Sequence, residues 1–389
     1  MSRKGFTLVE VIVILVVLSI LAAVAVPVAF RIFQVTAEDT TREEMDNIKK
    51  AMIGNPQKLQ SSFRSDFGFL GDIGCMPATL DQLLSAGGLP TPYTFDTTKQ
   101  AGAGWKGPYI TGTPGEDFTT DQWGNAYTYT VTGGPCPPAS MTATLTSNGP
   151  NGAAGGGDDI TVSIGAGETT ATVRGKVINT SGAGLASVPV EFYSAVSGTL
   201  TTTGGTTDAN GNYSFGSVPF GPRAVNANPP AILLVPASVT VSGGGNRDVN
   251  FQVANYSNTS ITIDRILVNC AGLTNGGVRY DDITVDGGGD ITSANNIVCN
   301  PAPAPPGTDV TDQTMAANPT PPSSLRVVVD SPDTQLPDFV LRGGSTRTIS
   351  ILRFETAGGA TVNMSGQTFS VSFYDTAAAL IATVTVVTP

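Results

Sequence analysis

The stretch KGFTLVEVIVILVVLSILAAVAVP, residues 4–27, decides how the fold of this chain begins. From Phe6 to Phe30 the sequence carries a single charged residue, Glu10, and is long enough to cross a bilayer as a helix. Its many valines and isoleucines favour a strand, but an isolated strand in hydrocarbon would leave its backbone groups unpaired. A carboxylate near the bilayer centre costs about 2.5–3.5 kcal/mol, so the presence of Glu10 needs a reason.

Three interpretations of this segment compete. A plain membrane anchor has no need of Glu10. A secretory signal cleaved after residues 22–25, AAVA, explains the basic start and the small residues, but a charge early in its apolar region is unusual. The third interpretation rests on RKGFTLVE, residues 3–10, which resembles the processing site of type IV prepilins and type II secretion pseudopilins.

This resemblance implies a leader of residues 1–5, cleavage by a prepilin peptidase after Gly5 and methylation of the new N-terminal residue, Phe6. Glu10 then stands at the family's glutamate position, where the amine of a neighbouring subunit's Phe6 would compensate its buried charge. Pro27 stands where the family has a helix-bending proline. The partners implied are copies of this chain in a homo-oligomeric filament, other pseudopilins or pilins, and an inner-membrane assembly platform. The implied location is single-pass in the inner membrane, with the head in the periplasm or on an extracellular filament.

Beyond Arg31 the pattern becomes amphipathic, since Met45, Ile48 and Met52 recur at helical spacing among charged residues. The sequence GNP, residues 54–56, should end the helix. We therefore expect one helix over residues 6–54, with residues 6–30 in the membrane or the filament core and a solvated charged face in its second half.

Composition restricts the function of the rest of the chain. The net charge of −11 argues against nucleic-acid binding, and the absence of histidine removes the commonest general base, so we expect no enzyme. The chain has 46 glycines and 27 prolines, which is typical of short strands joined by turns. Its cysteines suit two disulfides between sequence neighbours in an exported compartment, with free buried thiols as the alternative; they are Cys75, Cys136, Cys270 and Cys299.

Residues 55–165 should form a globular head. The motifs GWKGPYI (104–110), DQWGNAYTYT (121–130) and TLTSNGPNGAAGGGDDITVSI (144–164) occur in an order that resembles the major pseudopilins of type II secretion. Gln122 departs from that pattern, since the family usually has proline there. The residues themselves predict a β-hairpin here, in which Tyr127 and Tyr129 follow a turn and lie on one face of the strand.

The resemblance also implies a structural calcium ion in the glycine-rich loop. Calcium prefers six to eight oxygen ligands, and glycines let a loop turn its carbonyls inward. Asp158 and Asp159 would supply carboxylates, and Leu145 and Ser147 would supply carbonyls. Asn151 replaces an aspartate that related loops often have, which should weaken the site. The alternative is a flexible loop that leads into a strand.

Two all-β sandwiches should follow the α+β pilin fold, which combines the long helix with a small antiparallel sheet. Residues 171–253 resemble a carboxypeptidase regulatory-like or Cna-B-like sandwich. Residues 254–389 show repeated period-two alternation and suggest an immunoglobulin-like sandwich.

The function expected from these features is structural: a subunit of a type II secretion pseudopilus or a related type IV pilus-like filament. The alternative is a minor pilin or adhesin that displays the C-terminal domains for binding to a surface or a glycan. An anchored exported enzyme has the least support.

Overall fold

The computed structural model describes residues 8–110, 118–137, 141–273, 277–292, 295–299, 307–317 and 324–389. Helix α1 (Leu8–Ile53) runs unbroken through Pro27. It ends at Gly54, which adopts a left-handed conformation with φ +81° and whose N–H donates to the carbonyl of Lys50 at 2.7 Å. A Cβ at this position would lie 2.3 Å from the carbonyl oxygen of Asp66, so the close approach requires glycine.

The head packs against the second half of α1. Met45, Ile48 and Met52 are buried there, as their helical spacing predicts. The short helix α2 (Gly68–Ile73) packs on α1 and contributes buried Phe69 and Leu70. The strands of the head are β1 (Leu59–Gln60), β2 (Phe63–Arg64), β3 (Thr94–Asp96), β4 (Ala101–Ala103), β5 (Thr128–Thr132), β6 (Thr142–Ser147) and β7 (Ile160–Ile164). Strands β5, β6 and β7 form an antiparallel sheet in that order, and β1–β2 and β3–β4 are hairpins.

Polar contacts tie the head to α1 as well. The Nζ of Lys49 lies 2.7 Å from a carboxylate oxygen of Glu168 and donates to the carbonyl of Ser163, at the end of β7, at 3.0 Å. The hydroxyl of Tyr127 donates to Glu44 at 3.0 Å, and burial together with that carboxylate raises the pKa of Tyr127. The second half of the helix is therefore held on the head by apolar burial and by these side-chain links.

The pair of Lys49 and Glu168 should make part of this stability depend on pH. Partial burial would raise the pKa of Glu168, but hydrogen bonds from Lys49 and the Gly165 N–H, with nearby positive charge, hold it below its usual value. The stabilisation is therefore present above the unfolded-state pKa, about 4.3, and is lost as pH falls through the folded-state pKa.

Lys49→Met should lower the free energy of unfolding at pH 7 by about 0.2–1 kcal/mol, because the pair is partly exposed. Denaturant unfolding at pH 7 and pH 3 measures the effect, and the deficit should shrink at pH 3. Lys50→Met is the matched control, since Lys50 pairs with Asp46 inside the helix. A Lys49→Met deficit that is equal at both pH values would contradict the assignment.

Beyond Glu168, the regular secondary structure of the described residues consists of β-strands. These strands are β8 (Thr170–Asn179), β9 (Pro189–Val196), β10 (Thr199–Thr206), β11 (Asn212–Pro219), β12 (Gly221–Ala227), β13 (Ile232–Leu234), β14 (Thr240–Ser242), β15 (Asp248–Asn255), β16 (Ile261–Asn269), β17 (Arg279–Tyr280), β18 (Asp282–Val285), β19 (Ile297–Val298), β20 (Thr308–Met315), β21 (Leu325–Val329), β22 (Asp333–Gln335), β23 (Phe339–Leu341), β24 (Thr346–Leu352), β25 (Thr368–Tyr374) and β26 (Leu380–Val387).

These strands build two pairs of sheets. In the first sandwich one sheet has the order β10-β9-β12-β21 and the other β11-β8-β22, with β23 also pairing β8. In the second sandwich the orders are β13-β15-β24-β18, with β14 on β15, and β20-β16-β25-β26. Apart from the parallel pairing of β22 and β23 with β8, the pairs within these sheets are antiparallel.

Strand pairing does not follow the division expected between residues 253 and 254. That point lies inside β15, which pairs with β24 of the second sandwich. Conversely, β21 pairs with β12 and β22 pairs with β8, so residues 325–341 return to the first sandwich. Alternation of buried and exposed residues predicts a strand but does not identify its partner, which explains the difference.

The expected fold class is confirmed. A long N-terminal helix and a small antiparallel head sheet precede two β-sandwich units. The hydrophobic core of the first sandwich is continuous with that of the head, whereas the second sandwich has a core of its own. Disulfides join Cys75 to Cys136 in the head and Cys270 to Cys299 in the second sandwich.

Candidate functional site

The first half of α1 is an apolar surface that nothing else in the described chain covers. Large apolar side chains from Leu8 to Val35 are exposed, with Leu8 76% and Phe33 71% accessible. Within the described residues, α1 is the one helix that is both long enough and apolar enough to cross a membrane. A surface of this size in water would drive aggregation, so it requires lipid or other helices.

The predicted assembly residues lie on this surface. Glu10 is in the first turn of α1, and Pro27 lies inside the helix near the end of its apolar half. Proline at this position removes one backbone donor of the helix without ending it. The predicted processing residues, Gly5 and Phe6, lie outside the described residues.

A second group of polar residues holds the turn before β5 and the end of β6 together. Asp121 is 4% exposed, and its carboxylate accepts the backbone N–H of Trp123 at 3.0 Å and that of Asn125 at 2.8 Å. The same carboxylate accepts the hydroxyl of Ser147 at 2.6 Å. The sequence interpretation missed Asp121, although an aspartate that precedes a Trp-Gly-Asn turn is a signal for this type of capping.

The glycine-rich loop brings together some of the predicted calcium ligands. Asn151 donates to Asp158 through its backbone N–H at 3.2 Å and its amide at 2.7 Å. One carboxylate oxygen of Asp159 accepts the N–H of Gly155 at 2.7 Å. The hydroxyl of Ser147 is used by Asp121, outside this set of contacts. Leu145 lies in β6, the central strand of the head sheet, with paired neighbours on both sides.

Two oxygens of this loop are buried and have no hydrogen-bond donor in the described part of the chain. They are the second carboxylate oxygen of Asp159 and the amide oxygen of Asn148. Unpartnered buried oxygens are costly, and a hard cation satisfies them well. The described residues contain no group of three or more acidic, cysteine or histidine side chains arranged for a metal, so any ligand set must include amide and carbonyl oxygens. Asn148 is not among the residues that the sequence analysis assigned to this loop; the amide ligand predicted there is Asn151.

A buried arginine joins the head to the first sandwich. Arg223, in β12, is fully buried and donates to the carbonyl oxygen of Gly71 in α2 at 2.9 Å. Its guanidinium also donates to the carbonyl of Pro219, the last residue of β11, and to those of Phe220 and Pro222 at the turn into β12. Burial lowers the pKa of Arg223 to about 10, which leaves the guanidinium charged at neutral pH. Nothing in the local sequence distinguishes this arginine from an exposed one.

Three acidic residues of the second sandwich, Asp281, Asp282 and Asp286, form ion pairs within the protein. Arg353 pairs with Asp281 at 3.0 Å and with Asp282, and Arg347 pairs with Asp286 at 2.9 Å. These carboxylates therefore form structural ion pairs in the described chain.

Comparison with known proteins identifies two segments. Residues 1–26 match the prokaryotic N-terminal methylation motif, and residues 172–254 match the carboxypeptidase regulatory-like domain. No curated protein matches this chain. A solved structure described as a carbohydrate-binding protein from Bacteroides uniformis is 10% identical and has a TM-score of 0.24, with 56% of this chain and 99% of that chain covered. That likeness is too weak to carry an argument. The chain thus begins with a methylation motif of the type IV pilin kind on a single apolar helix, and a carboxypeptidase regulatory-like segment lies in its middle.

Proposed function

We propose that this chain is a structural subunit of a type II secretion pseudopilus or a closely related type IV pilus-like filament. The observation that carries the proposal is the division of α1 into an exposed apolar half and a half buried on a head. The methylation motif over residues 1–26 supports it, because that motif accompanies processing and filament assembly.

In this role the exposed half of α1 first lies in the inner membrane and then packs among other copies in a filament core. A prepilin peptidase would remove residues 1–5, and an assembly platform would move subunits from lipid into the filament. Apolar contacts are kept throughout that transfer, since neighbouring helices replace lipid. Glu10 would set the axial position of each subunit by meeting the amine of a neighbour.

The head and the first sandwich share one core and are joined by Arg223, so they would move as one body on the outside of the filament. The role proposed for this body is structural rather than catalytic. This agrees with a sequence that contains no histidine.

The mature N-terminus tests the proposal most directly. Mass spectrometry of the chain from cells with a prepilin peptidase should show a methylated Phe6 as the first residue. The same chain from cells without that peptidase should keep Met1–Gly5. A mature chain that starts after residue 25 would instead indicate a secretory signal and would overturn the proposal.

A second candidate function is display by a minor pilin or adhesin. It is favoured by the separate core of the second sandwich, which places a distinct unit at the end of the chain. Antibody against residues 346–389, viewed by electron microscopy, separates the two. Labels along the whole filament support a major subunit, and labels at the tips alone support display.

We also propose that the glycine-rich loop binds calcium through Asp159 and Asn148, whose buried oxygens need a donor or a cation. Calcium should raise the melting temperature of the full chain in detergent, and a chelator should lower it by a few degrees. Asp159→Asn should remove this difference, since the ligand charge is lost. Asp208→Asn, in an exposed turn of the first sandwich, is the matched control and should keep it. Equal melting temperatures of the unchanged chain with calcium and with chelator would contradict the proposal.

A further inference from the structure

Strand β10 is an open edge of the first sandwich. It pairs with β9 along its whole length, Thr199 to Thr206, with no irregularity in register, and no strand pairs with its other side in the described chain. Its sequence, TLTTTGGT, contains no charge and no proline. Long, regular and uncharged edges readily accept another strand, and proteins usually protect them.

Two other edges of these sheets, β11 and β20, carry such protection. Strand β11 has a register irregularity between Phe215 and Val218 and ends in Pro219. Strand β20 carries the exposed carboxylates Asp309 and Asp312. Strand β10 differs from these two edges because it has no register irregularity, no proline and no charged residue.

The hairpin before β10 decides which of its backbone groups face outward. Its two-residue loop has Ser197 at φ +51° and Gly198 at φ +74°, so Val196 and Thr199 form a hydrogen-bonded pair. Thr207 continues this alternation, because its N–H donates to the carbonyl of Val188 at 3.0 Å. The odd-numbered residues therefore bond to β9. The residues whose N–H and C=O groups point away from it are Leu200, Thr202, Gly204 and Thr206.

These outward groups are accessible. Thr202, Gly204 and Thr206 are exposed, and Leu200 is partly buried against the core next to β4. No backbone hydrogen bond from these residues to the rest of the described chain is present. The edge thus presents a row of donors and acceptors with the spacing of a sheet.

We propose that β10 pairs antiparallel with β10 of a second copy of this chain. The chain carries a net charge of −11, yet two copies can meet at this edge without placing one charge against another. A two-fold axis at Thr203 makes the edge complementary to itself. It places Thr202 of one copy opposite Gly204 of the other, Leu200 opposite Thr206, and Thr203 opposite itself. Cross-strand threonine pairs are favourable, and threonine suits a half-exposed strand.

The proposed pairing depends on the proposed function in one respect only: the filament is where two copies of the chain would meet. Subunits within a filament are related by a screw operation, whereas this contact needs a two-fold axis. The pairing would therefore join subunits of neighbouring filaments and bring the filaments side by side.

Cross-linking of the full chain in detergent tests the pairing. In the proposed register Thr203 forms a non-hydrogen-bonded pair with itself, with Cα atoms about 4.5 Å apart, which is within disulfide range. Thr203→Cys should therefore form a disulfide-linked dimer under mild oxidation. Thr199→Cys is the matched control, because two copies of residue 199 would lie about 27 Å apart along the strands. It should stay monomeric under the same conditions.

Adding Thr202→Pro to Thr203→Cys should abolish the dimer. Proline there removes an outward N–H and leaves the bonds to β9 in place. Equal cross-linking of Thr203→Cys and Thr199→Cys would overturn the proposal, as would a dimer that survives Thr202→Pro. Cross-linking of Thr203→Cys to a different protein in place of its own copy would also overturn it.

Hydrogen exchange on the unchanged chain gives a measurement that needs no variant. The amides of Leu200, Thr202, Gly204 and Thr206 should exchange more slowly as protein concentration rises, while neighbouring loop amides stay constant. Exchange that is independent of concentration up to the level used for cross-linking would overturn the proposal. If Thr203→Cys dimers form but no filaments are observed, the pairing of β10 is supported and the proposed filament function is contradicted. If filaments form but no Thr203→Cys dimer is found, the filament function is supported and the pairing of β10 is contradicted.

Discussion

Replacing Glu10 by alanine is expected to leave membrane insertion intact and to abolish filament assembly. Glu10 lies in the first turn of α1 on the exposed apolar surface, where a carboxylate is unfavourable unless an opposite charge meets it. In the proposed filament that charge is the amine of a neighbouring subunit's Phe6. Without Glu10 the amine would be buried without a partner, which costs about 3–5 kcal/mol for each subunit. Because every subunit carries the loss, filaments should disappear from electron micrographs.

The matched control for this experiment is Glu38→Ala. Glu38 is on the same helix but pairs with Arg42 at 2.7 Å on an exposed face. Its removal should leave assembly unchanged, since exposed pairs of this kind contribute little. Mass spectrometry should show the same mature N-terminus in both variants. Filaments of normal number and length from Glu10→Ala would refute the proposed pairing.

Replacing Arg223 by methionine should lower the free energy of unfolding by about 3–5 kcal/mol. Methionine approximately preserves the length of the side chain but leaves four carbonyl oxygens without their charged donor: the buried ones of Gly71, Pro219 and Phe220 and the partly buried one of Pro222. The loss should appear in denaturant unfolding of the full chain in detergent. It should also appear as faster hydrogen exchange in both α2 and β12, because Arg223 connects them.

Arg174→Met is the control for the loss of an arginine from the same sandwich. Arg174 lies on β8 with its side chain 58% exposed, 3.4 Å from Asp333. Its replacement should change stability by less than about 0.5 kcal/mol. If the two variants are equally stable, Arg223 does not hold the head and the sandwich together.

Local sequence patterns were sufficient for the long helix and for the all-β character of the chain beyond the head, and insufficient for several contacts of the candidate site. The helical spacing of Met45, Ile48 and Met52 predicted the face of α1 that the head buries. The strand expected after the glycine-rich loop is β7, whereas Leu145 and Ser147, which were assigned to the loop, lie in the preceding strand β6. The resemblance implies Asn151 as an amide ligand, which stays a prediction; in the structure the Asn151 amide donates to Asp158, and the buried amide oxygen without a donor in the described residues belongs to Asn148. Which of two nearby amides points inward depends on the path of the loop, which sequence spacing does not define.

By itself, the sequence determined that this protein has one apolar helix that continues into an amphipathic one, followed by strands. Those features follow from periodicity and length, which depend on residues close together in the chain. Only the tertiary structure decided that residues 325–341 complete the first sandwich, that β15 belongs to the second, and that Arg223 is buried between the head and the first sandwich. The reason is that strand partners and buried charges are chosen by contacts between distant parts of the chain, and alternation along one strand is compatible with many such partners.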